Sequence, residues 1–400
     1  MMKRIANVVA VVLSGFFVAS ACAQTGTFID RQLPSDVRVV TYNVNWDSIF
    51  PDNDPNNHSF RSFNMVQEFR RVIAALDPDV MCLQEINSAR NPQDVADIFD
   101  AELPLGGGAG WQATIGYSNV IVSRYPLTML ASDTVPQGQR AQAMALVDLP
   151  NAAFSVDLYL INEHYKCCGG SNNDNKRQQQ SDAVVNWMRD ARTPGESIDL
   201  PPDTPIIVLG DLNMVGSLGP LNTLVCGNIF DNGTYGPDSP PDWDTSCDTD
   251  LHPLHNVVGP ADYTWRNDNS SFNPGRLDYI IFTDTALTPA NRFILNTTTM
   301  SAAELSATGL QTFDVVVAPP GDFDHLPLVV DFRLAQTPVA PDGDASLDGL
   351  TDGADVAWFV TLAEAGAAAD PARIPHVDYN ANGVVDTGDL PGFVGNLLGP

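Results

Sequence analysis

Between residues 37 and 334 the chain carries short stretches that are apolar throughout or alternate apolar with polar, each bounded by turn-forming residues. VRVVTYNVN, DVMCLQE, SNVIVSRYPL, AQAMALVDL, FSVDLYLINEHY, PIIVLGDLN, RLDYIIF and LPLVVDF have the length and the Val, Ile and aromatic content of strands. Two other stretches repeat their apolar residues at the helical period. NMVQEFRRVIAAL sets Val66, Phe69, Ile73 and Leu76 on one face, and RQQQSDAVVNWMRDA does the same with Val184, Trp187 and Met188. Several strands are apolar on both faces, so both faces must be covered. Strands interspersed with helices in this way predict an α/β (α+β) chain of packed sheets overlaid by helices.

Residues 335–341, AQTPVAP, interrupt this pattern with prolines and small residues, as linkers do. Beyond them the composition turns acidic, with ten acids and one base in residues 342–400. DASLDGLTDGAD from Asp344 and DYNANGVVDTGD from Asp378 repeat each other 34 residues apart. Each sets oxygen-bearing side chains at loop positions 1, 3, 5, 9 and 12 around a glycine at position 6. These are Asp344, Ser346, Asp348, Asp352 and Asp355 around Gly349, then Asp378, Asn380, Asn382, Asp386 and Asp389 around Gly383. Calcium takes several hard oxygen ligands, and the glycine permits the sharp turn that points them inward. A merely solvated acidic tail would need no such repeat.

At the other end, Lys3 and Arg4, the apolar run IANVVAVVLSGFFVA and the small residues Ala21-Cys22-Ala23 read as a secretory signal peptide over residues 1–23. That run is short for a membrane span, and no later stretch reaches about 18 consecutive apolar residues. The expectation is a secreted or extracytoplasmic chain without a transmembrane segment. Lipid anchoring at Cys22 is a second reading, against which Ala19 stands where a bulky aliphatic is needed. Export permits disulfides. Cys226 and Cys247 bracket a Gly/Pro/Asp-rich loop and are the first pair to expect; Cys167 and Cys168 either bond to each other or stay thiols. Cys82, inside an apolar run, reads as a buried small hydrophobe.

Charge narrows the function classes. Forty-nine acids against twenty bases leave a formal net charge of −29, a field that repels phosphate backbones. It counts against a passive, tight nucleic-acid binder, and less against an enzyme whose own cations neutralise an acidic site.

Polar residues stand where the apolar runs end. Asn43, Glu85, His164 and the pair Asp211 and Asn213 close four runs, Asp278 lies in GRLDYII, and Asp324-His325 lead into LPLVV. Singly, each has an ordinary reading as a strand-end cap, an edge charge, a satisfied core histidine or a turn acid. Together TYNV, LQE, NEH, GDLN, YTW, RLDY and DH, in this order over residues 37–334, resemble the endonuclease/exonuclease/phosphatase family. The resemblance implies a four-layer α/β/β/α sandwich of two packed sheets, forming a catalytic domain over residues 24–334.

The residue types suit that chemistry. Cleaving a phosphate ester brings water against an anionic phosphorus, and magnesium or manganese, bound by carboxylate, amide oxygen and water, serves this well. The resemblance implies a metal at Glu85 and Asn43, with Asp324 contributing. It pairs Asp278 with His325, so that a buried carboxylate fixes the tautomer of an imidazole that takes a proton from the attacking water. Asp211 would orient or activate that water. Asn213, two residues on and so on the same side of an extended chain, would donate to a phosphoryl oxygen. His164 would stabilise the pentacovalent state or protonate the leaving oxygen. Arg140 reads as a phosphate contact or a surface salt bridge. In HYKCCGGSNNDNKRQQQ, Lys166, Lys176 and Arg177 bring cations near the substrate.

The implied activity is hydrolysis of phosphodiester bonds. Nucleic acid is favoured, because the lysine-bearing loop after His164 is similar to that of exported bacterial nucleases. A phospholipid or inositol-phosphate phosphoesterase, sphingomyelinase-like, is the alternative. For that branch WRNDNSSF offers Trp265 and Phe272, of which Trp265 reads as core. A non-catalytic anchored binding protein is the third reading, opposed by the complete set of motifs. The last stretch, residues 342–400, has Asp at position 12 where helix-loop-helix sensors have Glu, and it resembles the duplicated calcium loops of type I dockerin modules, with Ser346 in place of Asn or Asp as a departure. It implies a small helical calcium-loop module with a cohesin-like anchoring partner.

Overall fold

The computed structural model describes residues 25–50, 65–131, 141–151, 153–315, 323–334, 341–347, 350–366, 369–370, 373–380 and 384–398. The signal stretch with Cys22, most of the linker, Arg140, Asp348 and Asn382 lie outside the described residues.

Two six-stranded sheets form the body. The first holds β1 (Val37–Asn43), β2 (Val80–Gln84), β3 (Gln112–Gly116), β4 (Asn119–Ser123), β11 (Thr288–Ile294) and β12 (Leu328–Arg333). Its spatial order is β11-β12-β1-β2-β4-β3. The second holds β5 (Leu127–Ala131), β6 (Ala143–Val147), β7 (Leu158–His164), β8 (Ile206–Asp211), β9 (Thr249–Asp250) and β10 (Asp278–Phe282), in the order β5-β6-β7-β8-β10-β9. Each sheet has one parallel pair at its centre, β1–β2 and β7–β8; the remaining ladders are antiparallel.

A parallel pair requires a crossover, and helices supply it in both sheets. α1 (Val66–Leu76) joins β1 to β2 and buries Phe69, Val72, Ile73 and Leu76 against the first sheet. Val66, expected on that face, is half-buried, and Val72 takes its place. α2 (Pro92–Glu102) covers the same side, its start capped by Asn91, which accepts from the Gln93 N–H. α3 (Ser171–Ala191) joins β7 to β8 and packs Val184, Val185, Trp187 and Met188 on the second sheet, beside Leu224 of α4 (Gly219–Cys226). Two short helices, α5 (Asn232–Tyr235) and α6 (Ala302–Thr308), lie in connections.

Strand alternation separates the faces. In the second sheet Leu158, Leu160, Ile207, Leu209, Ile280 and Phe282 join the core of the first sheet, while Tyr159, Ile161, Ile206, Val208 and Ile281 face α3 and α4. The result is the four-layer α/β/β/α sandwich. Polar groups thread its centre: Gln84 donates to Asn162 at 2.7 Å, and Asn162 donates to the carbonyls of Leu83 and Val120 at 3.1 and 2.9 Å. Cys226 and Cys247 form a disulfide, Cys82 is buried, and Cys167 and Cys168 are free thiols.

The acidic tail carries α7 (Gly353–Ala365), α8 (Ile374–Val377) and α9 (Leu390–Leu398) around a cluster of its own that includes Phe359, Leu362, Val377 and Phe393. Phe359 and Phe393, equivalent positions of the repeat, stack with ring centres 4.4 Å apart. Among the described residues no helix is long and apolar enough to cross a membrane.

Candidate active site

One edge of the sandwich collects the polar strand ends. Parallel β1, β2, β7 and β8 deliver Asn43, Glu85, His164 and Asp211 at or just past their C-terminal ends. Antiparallel β10 begins there with Asp278, and Asp324-His325 stand just ahead of β12. Topology thus gathers residues from both sheets that are far apart in sequence.

His325 Nδ1 lies 2.7 Å from Asp278 Oδ2. Thr264 fixes that carboxylate's backbone: its Oγ1 accepts the N–H groups of Leu277 and Asp278, each at 2.9 Å. Asp211 Oδ2 is the meeting point of the site. Asn43 Nδ2 donates to it at 3.1 Å, His164 Nε2 lies 3.4 Å away and His325 Nε2 3.7 Å away. His164 Nε2 is also 3.9 Å from Glu85 Oε1. Asp324 Oδ2 accepts from Trp265 Nε1 at 3.1 Å, so Trp265 is a half-buried donor at the site and more than core filling.

The backbone is contorted at two of these ends. Glu85 (φ 65°) and Asn213 (φ 50°) both sit in the left-handed region, a strain that side chains accept where surrounding contacts enforce it. For Glu85 the enforcing contacts come from the turn after β1: Trp46 N–H donates to Oε2 and Asp47 N–H to the carbonyl, both at 2.9 Å. For Asn213 the strand stops at Asp211, so the expected alternation does not continue. Its N–H donates to Asp211 Oδ1 at 3.1 Å and its Nδ2 to the Tyr165 carbonyl at 3.3 Å.

Burial sets the electrostatics. It lifts the Asp211 carboxyl to about 7 against the pull of His325, with Asp278 and Glu85 adding to the rise. Burial opposes charge on His325, yet Asp278 and Asp211 outweigh it and hold the imidazolium well above the usual histidine range. Two buried carboxylates facing His325 thus favour its charged form. Glu85 is pushed up by burial, against His325 and Asn43, and Asp324 pushes it further.

These charges bear on whether a divalent cation fits. Glu85 and Asp324 are hard oxygen donors that burden each other electrostatically, a strain that a cation relieves. Asn43 Oδ1 accepts the Asn45 N–H at 3.0 Å and its nitrogen faces Asp211. The amide therefore serves Asp211 as a donor, and its oxygen keeps a second lone pair. Asp211, Asp278 and His325 also offer ligand atoms within 4.8 Å of one another. With Nδ1 engaged by the Asp278 carboxylate at 2.7 Å, that trio reads as a proton-holding chain.

The flanking cations divide. Lys166 is half-buried two residues after His164, and Lys176 is exposed on α3. Arg177 is buried and donates to the carbonyls of Lys166 and Cys168 at 2.6 and 3.0 Å and to Asp174. It braces the loop from inside and has no face left for substrate, which corrects the expectation placed on it. Thr264 and Trp46 went unnoticed as site residues; their positions within YTW and just after TYNVN were the available signal.

A four-layer sandwich with carboxylates and paired imidazoles along one edge defines the class of phosphoester hydrolases. Residues 40–299 match the Endonuclease/Exonuclease/phosphatase family, and the chain belongs to it. No curated protein matches the sequence. Among solved structures, D. rerio TDP2 complexed with a single-strand DNA product is 18% identical, with a TM-score of 0.44, over 75% of this chain and 99% of that one. ANGEL2, a 2',3'-cyclic phosphatase, is 16% identical, with a TM-score of 0.47, over 75% and 96%. The 3' phosphatase NExo from Neisseria, bound to a product DNA hairpin, is 13% identical, with a TM-score of 0.42, over 74% and 99%.

Proposed function

We propose that the chain is an exported, divalent-metal-dependent phosphodiesterase that cleaves nucleic acid by in-line attack of an activated water. The observation that carries this reading is the convergence of Asn43, His164 and His325 on Asp211 Oδ2. A carboxyl poised near 7 is matched to accept a proton from water at neutral pH. Asn43 orients it. His325, held charged by Asp278, donates to a phosphoryl oxygen as negative charge builds there, and Asn213, whose N–H donates to Asp211 Oδ1, serves the same task. His164 serves the leaving oxygen. Magnesium or manganese held by Glu85 and Asp324 would supply Lewis-acid charge to the phosphate. Lys166, two residues after His164, would contact the neighbouring phosphate.

Phe272, 76% exposed, keeps a phospholipid substrate as the second reading. A turnover panel decides between them: plasmid DNA, RNA, sphingomyelin and bis-p-nitrophenyl phosphate, each with magnesium or manganese and with chelator, beside His325→Ala. Metal-dependent cleavage of DNA or RNA that falls roughly 10²–10³-fold in His325→Ala is expected. Preference for sphingomyelin would replace the nuclease reading, and equal rates for wild type and variant on every substrate would end the enzymatic one.

The tail loops extend the proposal. Asp355 accepts the N–H groups of Ser346 and Asp352, and Asp389 those of Asn380 and Asp386, the same two positions in each repeat. We read them as calcium loops of a dockerin-like module, with Asp344, Asp348, Asp378 and Asn382 completing the oxygen sets, that anchors the enzyme to a cohesin-like partner.

A further inference from the structure

The loop from His164 to α3 carries two adjacent cysteines that the proposed hydrolysis does not use. Its path is held from within. Lys166 N–H donates to Gln180 Oε1 at 3.0 Å, and Arg177 Nη1 grips the carbonyls on either side of Cys167, those of Lys166 and Cys168. Cys168 sits at φ 73° and Gly170 at φ 101°, so the chain doubles back immediately after the pair. The bend brings the two thiols together: Cys168 Sγ donates to Cys167 Sγ at 2.8 Å, within an ångström of a disulfide bond's length of about 2.05 Å. Lys166 Nζ lies 3.5 Å from the same Cys167 sulfur. Cys168 is exposed and Cys167 half-buried, so small molecules reach both.

We propose that Cys167 and Cys168 form a redox-active vicinal dithiol, a modification site that closes to a disulfide by exchange with a small-molecule disulfide. Two donors converge on Cys167, which makes it the attacking sulfur. Its thiolate attacks the small disulfide, forming a mixed disulfide and releasing one thiol. Cys168 then attacks the Cys167 sulfur, forming the Cys167–Cys168 bond and releasing the second thiol. Both protons leave on the released thiols, so two cysteine thiols are oxidised while one disulfide is reduced to two thiols. The hydrogen bond that Cys168 donates to Cys167, with partial burial, pushes the Cys168 thiol up, as suits the second, resolving step.

The resulting bond is of the labile kind. Adjacent Cα atoms stand about 3.8 Å apart, below the range of about 4.4–6.8 Å that disulfides prefer, so the closed form is strained and readily reduced. Cys226–Cys247, by contrast, is already bridged, and Cys82 is buried away from oxidants.

The test uses the full chain. The reduced protein is incubated with oxidised glutathione, alkylated and digested, and the peptide containing both cysteines is read by tandem mass spectrometry. The expected peptide carries neither alkyl group nor glutathione and has lost two hydrogens; dithiothreitol restores the dithiol. Full alkylation after oxidant, a persistent glutathione adduct, or a bridge between two chains would each overturn the assignment. In a second arm the reduced chain is offered phenylarsine oxide, which bridges paired thiols. One arsenic on this peptide is expected, lost in Cys167→Ala and in Cys168→Ala; capture undiminished in either variant would overturn the pairing. Both readouts are independent of turnover.

Discussion

Asp278 and His325 share one hydrogen bond, so under the proposed mechanism their loss should not count twice. Asp278→Asn keeps the shape and removes the charge that holds the imidazolium. His325→Ala removes the ring. Each is expected to lower kcat/KM by roughly 10²–10³-fold, and the double variant by little more than the worse single one. Losses that multiply across the two variants would show that the pair does not work as a unit. A second residue-scale prediction concerns Glu163, which is buried beside His164 but points into the other face of β7. Burial, offset only partly by Gln142, lifts its carboxyl well above the ordinary range. The folded state therefore binds this proton more tightly than the unfolded one. The stability it confers is complete below the unfolded pKa and is lost as pH rises toward the folded one. Glu163→Gln keeps the volume without the ionisation. Its stability advantage should be small in acid and grow by about 1.4 kcal/mol per pH unit above the unfolded pKa, read from denaturant midpoints between acid and mildly alkaline pH. At this scale the motifs revealed which residues meet, because strand ends are fixed by the apolar pattern. They did not reveal which atom of Asn43 faces inward or that Arg177 is buried, since the Asn45 N–H and the fold of the 166–168 loop decide those.

At the scale of elements, the GDLN motif has a structural reason for its glycine. Gly210, at φ 131°, lets β8 pass so close to β7 that an added Cβ would lie 2.0 Å from the Glu163 carbonyl oxygen. The obstacle is backbone in a central parallel pair and has no room to yield. Gly210→Ala should cost on the order of 2–4 kcal/mol and displace Asp211, seen as a lowered unfolding midpoint together with lost turnover. An unchanged midpoint would mean that the strands part more easily than their ladder implies. Strands apolar on both faces were legible because they sit mid-sheet. β11 was not: it is an edge strand of mixed composition with Pro289 and an irregular register between Pro289 and Asn291, features that edges tolerate and that period-based reading rejects. β3 escaped for the same reason, being half-exposed at the opposite edge, and SNVIVSRYPL divided into β4 and the start of β5 at its proline.

For the whole molecule, the question is how an acidic repeat behaves as a unit. In each tail loop the carboxylate at the last position ties together the backbone N–H groups of positions 3 and 9, through Asp355 in one repeat and Asp389 in the other. Both carboxylates are buried, and the helices they introduce meet through the Phe359–Phe393 stack. Two loops that share one apolar cluster, with this aromatic stack inside it, should not bind calcium independently. Ordering the first loop fixes its helix, and the stack passes part of that order to the second, so the second calcium costs less conformational entropy. Calorimetric titration of the full chain should therefore give two calcium sites with positive coupling. Asp389→Ala should abolish one site and weaken the other, whereas Phe393→Ala should leave two sites and remove the coupling. Calcium at about 100 times its dissociation constant should also stabilise the tail by about 2.7 kcal/mol for each site, visible as a chelator-sensitive thermal transition. No heat of binding would remove calcium from the account. Two sites whose affinities ignore both substitutions would leave the loops as separate binders that share a tail but no mechanism.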